Sequence, residues 1–289
     1  MEKLSDHFNL RNSLLNFLHE DVGIEDITSN SLDNFNKAVK ADITYKSDFI
    51  GILCGMEEIE MLFDICNCNS KYIKTDGMNI SSKEKIMEIN GKAKDILKAE
   101  RIALNLLMRM SGIATLTRRF VDTVNQIDHS ISIASTRKTV PGLRLLDKKA
   151  VVIGGGISHR IRLDDMIMIK DNHIVVDKSI KKIVSSIRAR IGSSKSIECE
   201  VKNENEAIEA IESGANIIML DNFSVLHAKK TILKIIKMGL RDQVKIEISG
   251  GINLQNVIDY AKLKPDIISI GYLTHSAQSL DFSLKIRND

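Results

Sequence analysis

The sequence predicts an α/β protein whose C-terminal half is built of parallel βα units, as in a β/α barrel, behind a smaller mixed α+β region. Three observations predict it. From about residue 130, short apolar β-branched runs alternate with stretches of helical period, the pattern of strands buried on both faces. Each run is followed at once by residues able to do chemistry. And the chain, 289 residues long, 43% hydrophobic and 27% charged, has ample material for a core and too little charge imbalance for a disordered tail.

The elements follow in order. Leu14, Leu15, Phe17 and Leu18 mark a short amphipathic helix, and the acidic loop 20–29 after it ends in a cap signal at Asp26 to Ser29. Residues 38–45, 49–54, 72–74 and 85–89 read as strands, with a helix over 57–66 between them. Residues 96–111 are helical, with Ile102, Leu106 and Met110 at turn spacing, and 114–126 reads as a second helix, which puts a boundary near Gly112. Beyond it, strands are expected at 131–134, 166–169, 197–201, 217–220, 244–248 and 267–270, and helices at 178–191, 204–213, 224–238 and 254–263. Six strands with helical crossovers fit a β/α barrel or a doubly wound sheet. The strand ends favour the barrel: Thr136-Arg137-Lys138-Thr139, Lys170-Asp171-Asn172-His173, Glu200, Asp221-Asn222, Ser249-Gly250-Gly251 and Gly271 each follow or close an apolar run. In a barrel those loops converge on one face, which carries the active site.

Net charge is +3, but its distribution is uneven: residues 101–170 hold twelve basic against five acidic side chains. That concentration suits an anionic ligand or a solvated basic face. A nucleic-acid binder would interleave aromatics with the bases, whereas aromatics make up 4% of the chain and none lies between Arg137 and Lys170. Four cysteines with one C-x-C spacing and no C-x-x-C argue against a zinc site or a disulfide framework and fit a reducing cytosol, so a cytoplasmic protein is expected. Met1 to Leu10 has no apolar targeting core, and no run approaches a membrane span.

The candidate site residues follow from charge and spacing. In Ser249-Gly250-Gly251-Ile252, backbone N–H groups and the N-terminus of the following helix are placed to take a phosphate, with Gly271 completing the site; an ordinary βα turn is the alternative. Gly154-Gly155-Gly156 fits neither a P-loop nor a dinucleotide fingerprint. Glu200 and Asp221 end neighbouring strands and suit Mg²⁺ or ribose hydroxyls, or else cap helices. Arg137, Lys138, His159, Arg160 and Lys170 supply the opposite sign, a set matched to a ligand with several anionic groups.

The segments Thr136 to Arg144, Gly154-Gly155-Gly156-Ile157-Ser158-His159-Arg160 and Lys170-Asp171-Asn172-His173 resemble the quinolinate phosphoribosyltransferase family, the carboxylating enzymes of NAD biosynthesis. The resemblance runs almost end to end, through Glu20-Asp21, Asp26 to Ser29, Glu100-Arg101, Leu104-Asn105, Ser111 to Thr115, Leu220-Asp221-Asn222, Ser249 to Ile252 and Gly271 to His275. It implies an N-terminal α/β sandwich over 1–112, an incomplete α/β barrel over 113–271, and residues 272–289 packing back on the first domain. It implies quinolinate and 5-phosphoribosyl 1-pyrophosphate as substrates, Mg²⁺ as cofactor, and a homodimer in which Arg101 serves the partner's site, with no nucleic acid and no membrane. On the same resemblance Arg101, Arg137, His159, Arg160 and Lys170 hold the quinolinate carboxylates and Lys138 sits near the pyrophosphate. Glu200 and Asp221 serve the ribose hydroxyls and Mg²⁺, directly or through water; Ser249, Gly250, Gly251 and Gly271 hold the 5′-phosphate, and His275 shares that end of the barrel. Lys138, Lys170, Glu200 and Asp221 carry the catalytic roles.

The chain departs from the family pattern at Ser135, where Asp is usual, at Val140 in place of a common Thr, and at Arg162. A paralogue of the same fold acting on another base, such as the molybdenum-transport-associated ModD-like proteins, is the alternative, although those tend to depart from the Lys-Asp-Asn-His run intact here. Pro141, one of two prolines, is expected to set with Gly142 the turn that aims Arg137 and Lys138.

Overall fold

The computed structural model describes residues 10–287. Met1 to Asn9, which the sequence reads as lacking a targeting core, lies outside them, as do Asn288 and Asp289. In chain order the elements are α1 Leu10–Val22, α2 Ile27–Asn30, β1 Ala38–Tyr45, β2 Gly51–Ile52, α3 Met56–Ile65, β3 Asn69–Tyr72, β4 Asn79–Ile80, β5 Lys85–Lys92 and α4 Ala93–Asn125. There follow β6 Ser132–Ser135, α5 Arg144–Ile153, β7 Ile167–Ile169, α6 Asp171–Asp177, α7 Ile180–Ile191, β8 Ile197–Val201, α8 Glu204–Glu212 and β9 Ile217–Asp221. The chain ends with α9 Val225–Lys237, β10 Lys245–Ser249, α10 Val257–Ala261, β11 Ile267–Ile270, α11 Tyr272–His275 and β12 Phe282–Ile286. Packing divides it into two compact units: residues up to 118 with 145–154 and 277 onward, and residues 119–144 with 155–276.

The first unit is built on an antiparallel sheet in the order β12-β1-β5-β3. Ala41, Ile43 and Tyr45 alternate inward from β1, and Met56, Ile59, Leu62 and Phe63 of α3 are buried in the same unit. The C-terminal strand β12 lies at the sheet edge, Leu284 opposite Ile43. The strand expected at 49–54 shrinks to Gly51–Ile52, because its next backbone groups turn to helix side chains: Ile52 N–H donates to Thr115 Oγ1 (2.8 Å) and Cys54 N–H to Ser111 Oγ (3.0 Å).

The break between two helices expected at Gly112 is absent. The chain there is one helix of 33 residues, Ala93–Asn125. Gly112 serves close approach instead, since a Cβ on it would lie 2.2 Å from the Gln278 carbonyl oxygen. Helix α5, which the sequence reading missed, is tied to α4 by a bidentate pair: Arg109 Nε and Nη2 donate to fully buried Asp147 at 2.7 and 2.8 Å.

The second unit holds a six-stranded, wholly parallel sheet in the order β6-β11-β10-β9-β8-β7. Strands β7 to β11 are laid side by side in chain order and β6 flanks β11, so β6 and β7 are the two edges. The sheet is therefore an incomplete β/α barrel. Observed strands lie within a residue or two of the expected ones, because runs such as Ile197–Val201 are buried at every position. Helix α10 starts later than expected, at Val257, after a turn in which Asn253 Oδ1 accepts from the Gln255 and Asn256 N–H groups at 2.9 and 3.2 Å. All four cysteines are free thiols and buried, and no helix among the described residues is long and apolar enough to cross a membrane.

Candidate active site

The period of two along a strand decides which residues reach the carboxyl ends of the barrel together. Lys170 follows β7, Glu200 is the fourth residue of β8, and Asp221 and Ser249 close β9 and β10. Lys170 Nζ lies 2.8 Å from Glu200 Oε2, and Glu200 is 8% exposed, so a buried acid faces a half-exposed base. The Asp221 carboxyl is raised above its ordinary range, first by burial and then by the charge of Glu200; the hydrogen bond from Asn222 and the charges of Lys170 and Lys138 oppose this. That response puts Glu200, Asp221, Lys170 and Lys138 in one electrostatic neighbourhood.

Asn222, at φ 56°, donates from Nδ2 to Asp221 Oδ2 at 2.6 Å and from its backbone N–H to the Ser249 carbonyl at 2.9 Å. Behind it stands Gly250, at φ 94°, where a Cβ would lie 2.2 Å from Asn222 Oδ1. Only glycine fits both the backbone and the space, and Gly251, at φ 64°, continues the left-handed turn. The helix beyond begins only at Val257, later than expected, with a turn from Asn253 between it and the glycines. Backbone groups of the glycine turn itself are what it can offer a phosphate.

On the other side of the sheet's order, Gly271 follows β11, and a Cβ there would lie 2.9 Å from Lys138 Cδ and 3.3 Å from His275 Cδ2. Lys138, Gly271 and His275 are thus brought together, and Thr274 Oγ1 donates to the Lys138 carbonyl at 2.7 Å. The Val140-Pro141-Gly142-Leu143 turn has the form expected of it: the Leu143 N–H donates to the Val140 carbonyl at 3.0 Å, and Gly142 takes φ 85° at the third position.

Deeper in the barrel, His159 Nε2 lies 3.0 Å from Glu247 Oε2 and 3.3 Å from Glu198 Oε2, and both acids are fully buried. Burial disfavours the imidazolium, but the two carboxylates outweigh it and push the His159 pKa to about 10. Arg160 is 7% exposed and forms no hydrogen bond or ion pair among the described residues. Burial and then the charge of Arg137 lower its pKa. Arg137 itself buries Nε without a partner. Two guanidiniums therefore sit near enough to repel one another, with the charges of Glu198 and Asp165 partly offsetting this at Arg160, and one buried donor, Arg137 Nε, is unpaired; such an arrangement suits an anion.

Residues 26–111 match the model of the quinolinate phosphoribosyl transferase N-terminal domain, and residues 113–285 that of its C-terminal domain. The chain belongs to the quinolinate phosphoribosyltransferase family. Among relatives of this family, a Methanothermobacter thermautotrophicus protein named "Probable nicotinate-nucleotide pyrophosphorylase", carboxylating, is 42% identical over 93% of this chain and 96% of its own length. The human carboxylating nicotinate-nucleotide pyrophosphorylase is 36% identical over 82% of this chain and 79% of its own. The solved Ehrlichia chaffeensis nicotinate-nucleotide pyrophosphorylase superposes with a TM-score of 0.90 at 34% identity, covering 97% of this chain and all (100%) of that one.

In this quinolinate phosphoribosyltransferase-family chain, Arg101 is an exposed residue of α4 in the first unit, whereas the other site candidates belong to the second. Sequence reasoning missed Glu198, Glu247 and Ser269, and named Asn222 among the strand-end residues without giving it a role. The first three lie two residues before Glu200, Ser249 and Gly271, on the same face of their strands, and that period was the available signal.

Proposed function

We propose that the chain transfers the phosphoribosyl group of 5-phosphoribosyl 1-pyrophosphate to the nitrogen of quinolinate and releases CO₂, giving nicotinate mononucleotide and pyrophosphate. The observation that supports it best is the mutually repelling pair Arg137 and Arg160 beside His159, with Arg160 buried and Arg137 Nε a buried donor without a partner: such a pair suits a planar dicarboxylate, which guanidinium forks match bidentately.

On this reading Arg137, Arg160, His159 and Lys170 hold the quinolinate carboxylates, and Arg101 reaches the site of a partner subunit in a homodimer. Ser249, Gly250, Gly251 and Gly271 hold the 5′-phosphate, with His275 at the same end. Glu200 and Asp221 orient the ribose hydroxyls, and Lys138 meets the pyrophosphate. The two acids also fit Mg²⁺: they are oxygen donors, and the Asp221 carboxyl, raised by burial and then by the charge of Glu200, is one whose ionised form a hard cation favours. When bound, that ion supplies charge neutralisation of the departing pyrophosphate. The protein's own task is placement, keeping the pyridine nitrogen in line with C1 of the ribose while positive side chains stabilise the leaving group. After transfer the cationic ring nitrogen stabilises the C2 carbanion left by CO₂, so no nucleophilic side chain is required.

The test is a stopped assay with both substrates and Mg²⁺. Formation of nicotinate mononucleotide with equal CO₂ is expected, and absence of product at saturating substrates would overturn the proposal.

A further inference from the structure

The barrel interior carries a second layer of polar residues beneath the site. Glu198, Glu247 and Ser269 each sit two residues before a strand-end site position, are at most 2% exposed, and converge with His159. Ser269 Oγ donates a short hydrogen bond to Glu247 Oε1, and the other oxygen of Glu247 faces His159 Nε2 at 3.0 Å. Both oxygens of Glu198 lack a hydrogen-bond partner, and its nearer one is 3.3 Å from the same ring nitrogen.

Burial raises the Glu198 carboxyl above its ordinary range, so the acceptor facing the ring is Glu247, which already accepts from Ser269 through one oxygen and presents the other to Nε2 at 3.0 Å; that arrangement places the proton on Nε2. This fixes the ring chemistry: Nε2–H belongs to Glu247, and Nδ1, which has no partner among the described residues, is left for a ligand. His159 also sits at φ 50°, a left-handed backbone that a non-glycine residue keeps only when its surroundings insist. The Ser269–Glu247 bond supplies such insistence from the barrel floor. Without it the imidazole is free to turn, and either nitrogen can face the mouth.

We propose that Glu247, anchored by Ser269, is a positioning residue for His159: it takes the Nε2–H, sets the ring plane, and commits Nδ1 as the donor to a carboxylate of the aromatic diacid. This rests on the functional reading above. A buried carboxylate on one imidazole nitrogen orients the other in catalytic triads and in metal sites alike. The raised His159 pKa agrees with the assignment. Neither Glu247 nor Ser269 touches the substrate.

The experiment pairs Glu247→Gln and Ser269→Ala with ¹⁵N NMR of the histidine rings, His159 assigned by loss of its signals in His159→Asn. In the wild type at pH 7 the Nε2 signal is expected at a protonated position, shifting in Glu247→Gln and to a smaller extent in Ser269→Ala. Kinetically, the KM for quinolinate is expected to rise at least tenfold in Glu247→Gln while the KM for the phosphoribosyl donor stays within twofold. Ring signals unchanged in both variants would overturn the relay, and equal loss of both substrates' KM with a collapsed Tm would reduce it to packing. If Glu247→Gln does not fold, the milder Ser269→Ala decides by the same readouts. If the wild type turns over no quinolinate, the function proposed above fails, while the ring signals still judge the relay.

Discussion

Gly250→Ala separates what the glycine turn does for activity from what it does for folding. A Cβ at Gly250 would meet Asn222 at three atoms, 2.2 Å from Oδ1, 2.6 Å from Cγ and 2.8 Å from the backbone nitrogen. Ordinary carbon contacts begin near 3.5 Å, so the loop or Asn222 must give by about 1 Å. Asn222 cannot move alone, because Nδ2 holds Asp221 at 2.6 Å and its N–H holds the Ser249 carbonyl at 2.9 Å. A misplacement of about 1 Å at a reacting centre costs on the order of 100-fold in rate, roughly 2.7 kcal/mol. The left-handed backbone adds about 1–2 kcal/mol of strain to any alanine. Gly214→Ala is the control, since Gly214 has the same φ of 94° with nothing within 4 Å of its Cβ. Steady-state kcat/KM for the phosphoribosyl donor and Tm, measured on both variants, should show a loss of stability in each, larger in Gly250→Ala because of the contact with Asn222, but a large loss of activity only in Gly250→Ala. Activity of Gly250→Ala within threefold of wild type, or an equal loss in Gly214→Ala, would refute the reasoning.

Arg137→Ala and Lys170→Ala are expected to abolish quinolinate binding in calorimetric titration while the circular dichroism spectrum is kept; wild-type affinity in either contradicts the site. Arg109→Ala strips the bidentate partner from fully buried Asp147, a change of about 3–5 kcal/mol, and should lower Tm by roughly 5–10 °C in scanning calorimetry. His159 binds its proton more tightly folded, with a pKa of about 10, than unfolded, at 6.5, so its contribution to stability is complete below the lower value and lost as pH rises through the upper. The stability gap between wild type and His159→Asn in urea titrations should therefore shrink between those limits; a gap that widens there is incompatible with the assignment. Chelation of Mg²⁺ should stop turnover, and Glu200→Gln or Asp221→Asn should raise the Mg²⁺ concentration for half activity about tenfold, as loss of a charged oxygen ligand predicts; chelator-resistant activity would remove the ion from the scheme.

What the sequence makes legible depends on how far apart the deciding residues are in the chain. The buried strand Ile197–Val201 is legible from Ile197, Cys199 and Val201 at alternate positions, and Lys170, Glu200 and Asp221 are legible because they stand at the carboxyl ends of such strands. Helix α5 does not, since its buried face includes Asp147 and Lys148, and the partner that compensates Asp147, Arg109, lies 38 residues earlier. Gly112 misleads for a similar reason: a glycine within a helical pattern signals an end, unless a distant backbone, here Gln278, approaches it. Glu198 and Glu247 look like charges interrupting apolar strands, and nothing local says that they share one histidine.

The same logic gives Ser135 a reason. Where the resemblance leads one to expect Asp, this chain has a fully buried hydroxyl whose Oγ donates to the Ser158 carbonyl at 3.0 Å. That bond joins the end of β6, from which Arg137 and Lys138 depart, to the residue just before His159 and Arg160. Nearby, the Ser135 N–H donates to the Ile157 carbonyl at 3.1 Å and the Ile157 N–H to that of Ile133 at 2.8 Å, so the second loop is laid along the edge strand as a short parallel extension. An aspartate offers only acceptors when ionised and would need a different donor here, whereas a serine can donate to a carbonyl without adding charge beneath two arginines. The departure therefore keeps the two basic loops in one register and leaves their positive charge for the ligand.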